Sequence, residues 1–155
     1  MLSLITFLIV IHVLSAVLGL GPAFAFPLIL KSTDSGPDML RSLALVGKLE
    51  MFPKAFGTLA IVTGLLLFWL GSYGSPMQVW IAGTLLLYVL LEVLIIRFLN
   101  PAANQLLKQL TKLEGAAGAP LPSALIRKYS LVRNLHVVAG AVSMAILILM
   151  IVKPA

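Results

Sequence analysis

The chain has 155 residues, of which 61% are hydrophobic and only 10% charged, with a net charge of +6. A water-soluble domain carries about 25% charged residues, so this composition cannot coat a particle in water, and lipid is the expected solvent for most of the surface. The basic excess lies in short segments between apolar runs, where it reads as a set of topology signals facing anionic headgroups and excludes a nucleic-acid surface.

A membrane-crossing helix needs about 20 apolar residues, and four segments qualify. The first predicted span covers residues 3–30. Ala23-Phe24-Ala25 has the small-residue pattern of a signal cleavage site. However, no Lys or Arg precedes the apolar run, and the run is long for a signal peptide, so a retained span is expected. Pro22 and Pro27 predict a kink or an early end. A loop is expected over 31–48. The second span covers 51–70, with Pro53 in its first turn. Gly57, Ala60, Gly64 and Gly71 share one face of it, a seam for close helix packing. Glu50 and Lys54, four apart at its mouth, form a candidate ion pair. Gly71-Ser72-Tyr73-Gly74-Ser75-Pro76 predicts a tight hairpin.

The third span covers 77–98 and leads into a longer loop over 100–125. That loop includes a short surface helix near 104–114 and a flexible Gly/Ala/Pro link over 115–122. The fourth span covers 126–152, its fully apolar part starting near Leu135. Backbone groups in lipid must bond within their own segment, so helices are expected. The predicted fold is all-α: one transmembrane domain, 1–155, forming an integral membrane four-helix bundle.

Lys and Arg fix the predicted orientation. Lys31, Arg41, Lys48 and Lys54 flank the first loop, and Arg97, Lys108, Lys112, Arg127, Lys128 and Arg133 flank the third. The hairpin holds none and the C-terminal tail only Lys153. Ten cations against one place both larger loops in the cytoplasm, with the N-terminus and C-terminus on the outer face of a cytoplasmic (inner) membrane. Trp69, Tyr73 and Trp80 flank the outer hairpin as an aromatic belt.

Titratable residues within spans are expensive in lipid and mark candidate sites. His12 and His136 are the only histidines, and each is followed at helical spacing by small residues: Ser15, Ala16, Gly19 and Ala23 in one case, Ala139, Gly140 and Ser143 in the other. Small faces allow close helix approach and leave room for a flat ligand. Imidazole is a strong axial ligand for haem iron, so one or both histidines are candidate haem b ligands, with Arg133 one turn below His136 to meet a propionate. The competing role is a hydrogen bond across the bundle. In a shared two-histidine site the ring depths would differ by about 10 Å at 1.5 Å per residue.

Thr84, Tyr88 and Glu92 form a polar stripe in span three, with Glu92 a proton-handling or substrate-binding candidate, or one half of a buried ion pair. The absence of cysteine excludes disulfides, thiol catalysis, thiolate metal sites and covalent c-type haem attachment. No phosphate-binding glycine loop or Ser-His-Asp set appears, so an enzymatic role is left open.

Ile11-His12-Val13-Leu14-Ser15-Ala16, Thr63-Gly64-Leu65-Leu66-Leu67, Thr84-Leu85-Leu86-Leu87-Tyr88 and Met150-Ile151-Val152-Lys153-Pro154, in that order, resemble a bacterial family of four-span predicted integral membrane proteins of unknown function. That family is distantly similar to HemJ-type protoporphyrinogen oxidases and to copper-resistance D membrane proteins. The resemblance implies a haem-associated histidine at His12 and a closing Val152-Lys153-Pro154. HemJ-type proteins carry a functional lysine in the third span. Here Gly83, Thr84, Glu92 and Leu94 occupy that region, so porphyrinogen oxidation is not implied. The expected function is a small haem b-binding membrane protein for electron transfer or redox chemistry. The alternatives are a non-catalytic accessory subunit, or a small transporter or metal-handling protein using Tyr88 and Glu92. Expected partners are the bilayer, other membrane proteins or further copies of the chain.

Overall fold

The computed structural model describes residues 3–31, 33, 35–71, 78–114 and 121–154. The predicted hairpin with its Tyr73, and most of the predicted 115–122 link, lie outside the described residues. Seven α-helices and one π-helical turn make up the described architecture, with no strand among the described residues. Four helical columns are long and apolar enough to cross a membrane, as the composition demands.

The first column is α1 (Leu4–Leu20) followed by α2 (Pro22–Ile29). Ser3 caps α1 by accepting from the Thr6 amide, which satisfies one of the donors that a helix start leaves open. The break at Gly21 is mild because Gly21 keeps right-handed helical angles and still donates to Val17. Pro27 sits inside α2 and denies the Ala23 carbonyl its helical donor. That carbonyl faces α7, where a Cβ on Gly140 would lie 3.5 Å from it.

The second column is α3 (Gly36–Leu49), a turn at Glu50, and α4 (Met51–Leu70). The sequence reading makes 31–48 a loop; most of it is helix instead. The cause is local. Ser35 caps the helix through the Asp38 amide, Pro37 sits in the first turn, and Asp38 complements the helix start. Met39, Leu43 and Val46, at i, i+4 and i+7, give it one buried face.

The third column is α5 (Val79–Val93), a π-helical turn (Leu94–Leu99), and α6 (Asn100–Glu114). The predicted short surface helix is therefore longer and continuous with the span. The fourth column is α7 (Ser123–Val152), 30 residues long. At 1.5 Å per residue it measures about 45 Å, against a hydrocarbon core of about 30 Å, so one end must project beyond the bilayer. Its other end stops at Lys153, which is left-handed and lays its ammonium over the Trp80 ring at 5.3 Å.

In the apolar part α1 packs on α4 and α5 packs on α7, while α1 touches α7 only lightly. The best-buried residues lie elsewhere. Phe26 and Leu30 at the end of α2, Met39, Leu43 and Val46 of α3, Leu106 and Leu110 of α6, and Leu125, Tyr129 and Val132 of α7 form one cluster. This basic-end cap has the core of a water-soluble helical protein. The contrast follows from the solvent: water drives apolar groups together, whereas acyl chains are as apolar as leucine and give spans no such push. Leu86, 61% exposed, and many similar side chains along the spans are dry only if lipid covers them.

Candidate functional site

The predicted site residues fall into three separate places. The first is the seam between α1 and α4. His12 Nδ1 lies 2.8 Å from the Ala60 carbonyl and 3.1 Å from Thr63 Oγ1. A carbonyl only accepts, so Nδ1 carries the ring proton and Nε2 carries the free lone pair. Thr63 Oγ1 donates to the Leu59 carbonyl at 2.7 Å, which leaves it an acceptor for the same imidazole proton. The ring lies on Gly64, where an added Cβ would stand 3.0 Å from His12 Cε1. About two turns further along, a Cβ on Gly19 would stand 2.8 Å from the Gly57 amide nitrogen. The small residues that the sequence marks as a packing seam thus serve two ends: backbone contact at Gly19 and Gly57, and a berth for an imidazole at Gly64.

The second place is on α7, where it leaves the apolar part. His136 is buried, and its Nδ1 donates to the Val132 carbonyl of its own helix at 2.9 Å. The Phe26 ring meets it edge-on, with centroids 5.3 Å apart. Arg133 is half-buried on the same helix; its charge reaches Tyr129 of the cap. The Tyr129 hydroxyl is buried beside Ser42, with no strict hydrogen bond among the described residues. Glu50 lies within the electrostatic field of His136 and closes the expected pair with Lys54 at 2.9 Å. The pair is lopsided, the Glu50 side chain being 19% exposed and the Lys54 side chain 64%.

His12 and His136 do not meet. His136 packs on Phe26, which follows His12 by 14 residues along the α1–α2 column, roughly 20 Å at the helical rise. A site shared by both rings is not built within one chain.

The third place is the outer side of α5. Tyr88 Oη donates to Glu92 Oε1 at 2.6 Å. These two line an open groove of about 460 Å3 with Val89, Val93, Ile96 and Arg97. The Thr84 hydroxyl, the upper member of the predicted stripe, is buried without a hydrogen-bond partner among the described residues. Glu92, expected either as a chemical group or as half of a buried ion pair, takes a hydrogen bond from Tyr88 on its own helix. The π-helical turn beside this groove carries no sequence signature that the reading above identifies. Such turns occur often at functional positions.

Among the described residues no three His, Cys, Asp or Glu side chains gather as a metal site. His12 has the arrangement that metal-binding histidines use, with Nδ1–H fixed on a backbone carbonyl and Nε2 left to the metal. His136 has the same proton placement, but its ring is enclosed by Phe26 and its own helix.

The family described as "Predicted integral membrane protein (DUF2269)" matches the chain over residues 6–154. No curated protein and no solved structure matches it.

Proposed function

For a chain that belongs to this family of predicted integral membrane proteins, we propose a role as a small haem b-binding protein of the cytoplasmic membrane, holding the iron through His12. One observation carries the reading: the 2.8 Å bond from His12 Nδ1 to the Ala60 carbonyl. It fixes the ring's orientation and tautomer and raises the basicity of Nε2. An imidazole placed only for packing needs a hydrogen bond. This one is bonded, braced by Thr63, and left with its ligand nitrogen uncommitted by any bond among the described residues. Haem b would supply a one-electron couple. The chain's own residues orient the imidazole and keep it within the apolar part of the molecule. The comparisons support the family alone and give no likeness to HemJ-type or copper-resistance D proteins, so porphyrinogen oxidation is not part of the proposal.

The test is an absorption spectrum of protein purified in mild detergent from haem-replete cells. A Soret band is expected. His12→Ala should abolish it, while His136→Ala, which removes an enclosed ring, should keep most of it. A colourless preparation, or a Soret band indifferent to His12→Ala, contradicts the proposal. The same purification decides the other reading, a non-catalytic accessory subunit: its outcome is colourless protein recovered with a second membrane polypeptide.

A further inference from the structure

We propose that the groove between α2 and α3 is a binding site for one anionic phospholipid, with Lys31 and Arg41 holding its phosphate. The groove measures about 490 Å3 and is lined by Ala25, Leu28 and Leu45 on its apolar walls and by Lys31, Arg41 and Ser42 on its polar rim. This division matches a lipid in both chemistry and level. Leu28, 72% exposed, belongs to the last turns of the first column before the chain leaves the apolar part. Lys31 follows immediately, and α3 belongs to the cap, whose core is that of a protein in water. The groove therefore straddles the headgroup level, with acyl carbons against Ala25, Leu28 and Leu45 and the phosphate at the rim.

The two cations are available for it. Lys31 has no ion pair among the described residues, and Arg41 has only Asp38 at 3.9 Å, with both side chains well exposed. An exposed pair at that distance contributes little. Ser42 adds a hydroxyl that can donate to a phosphate oxygen. The apolar walls separate this site from a site for a soluble phosphate, which would leave them in water. The sequence reading treats these lysines and arginines as topology charges; the groove gives two of them a ligand.

The experiment is native mass spectrometry of the delipidated full chain titrated with phosphatidylglycerol, phosphatidylcholine and glycerol 3-phosphate. The wild type should retain one phosphatidylglycerol in preference to phosphatidylcholine, and glycerol 3-phosphate should not displace it. The double variant Lys31→Gln/Arg41→Gln should lose that preference by about 25-fold, since each basic side chain near an anionic headgroup contributes about a factor of five. The charge-matched control Lys108→Gln/Lys112→Gln, on α6, should retain it. Equal retention by the first variant and the wild type overturns the proposal. So does equal loss in the control, or displacement by the soluble phosphate. Should Lys31→Gln/Arg41→Gln fail to fold, Leu28→Trp in the otherwise wild-type chain replaces it. Brominated phosphatidylglycerol at low mole fraction should then quench the added fluorescence more than brominated phosphatidylcholine, and equal quenching counts against the site.

Discussion

Replacing Gly19 with valine is expected to force α1 off α4 and to weaken the fold more than any other single change in the apolar part. The β-carbon alone would arrive 2.8 Å from the Gly57 amide nitrogen and 3.1 Å from the Phe56 carbonyl carbon. Both atoms belong to backbone, so no side-chain rotation relieves the clash. Overpacking of this kind costs about 1–3 kcal/mol. The effect should spread, because His12 reaches Ala60 across the same interface and loses that bond if the helices separate. The partner glycine supplies the control. A Cβ on Gly57 meets nothing within 4 Å, so Gly57→Ala should behave as the wild type. Thermal unfolding in a single detergent, followed by far-ultraviolet dichroism, measures both variants. A Gly19→Val protein as stable as the wild type would mean that α1 and α4 do not approach as described.

The second large effect belongs to the cap. Leu106 is completely buried among Met39, Leu43, Tyr129 and their neighbours. Leu106→Ala therefore removes buried apolar surface from a core driven by water, at a cost of about 2–5 kcal/mol. Leu65, 55% exposed on α4, offers the same side chain to lipid. Leu65→Ala exchanges acyl contacts for acyl contacts and should change stability by less than about 1 kcal/mol. The same unfolding measurement compares them. Equal losses for the two alanines would mean that the cap is not the water-side core inferred here.

These effects also mark the boundary of what the residues disclose when read without coordinates. The four spans were legible because hydrocarbon thickness sets their length and charge is sparse within them. The mild break after Leu20 was legible in Pro22. The cap was not, although its signals are present. Met39, Leu43 and Val46 on one helix, and Leu106, Leu110 and Leu113 on another, repeat at helical spacing, and Ser35-Gly36-Pro37-Asp38 is a helix start. Their mixture with Lys and Arg disguised the first as a loop and reduced the second to a short surface helix, because in a chain this apolar the amphipathic segments look polar by comparison.

Of the site, the weight given to two histidines and a Tyr88–Glu92 stripe rested on the rarity of such groups in spans. Rarity says nothing of partners. That His12 bonds Ala60 across 48 positions, whereas His136 bonds its own helix and meets Phe26, depends on how α1 docks on α4 and α2 on α7. Periodicity within one helix does not carry that information. The π-helical turn at Leu94–Leu99 packs on α7, a contact that periodicity within α5 does not reveal either.

The molecule is divided between two media, with the basic cap in water on one side of the bilayer. The chain has no cysteine, so single cysteines report without background. Ser3→Cys, Leu86→Cys, Lys112→Cys and Arg127→Cys, treated with a membrane-impermeant maleimide in right-side-out and in inverted vesicles, test that division directly. Lys112→Cys and Arg127→Cys should label only in inverted vesicles, Ser3→Cys only in right-side-out vesicles, and Leu86→Cys in neither. Labelling of Leu86→Cys from water, or of the two cap positions in right-side-out vesicles, would contradict it.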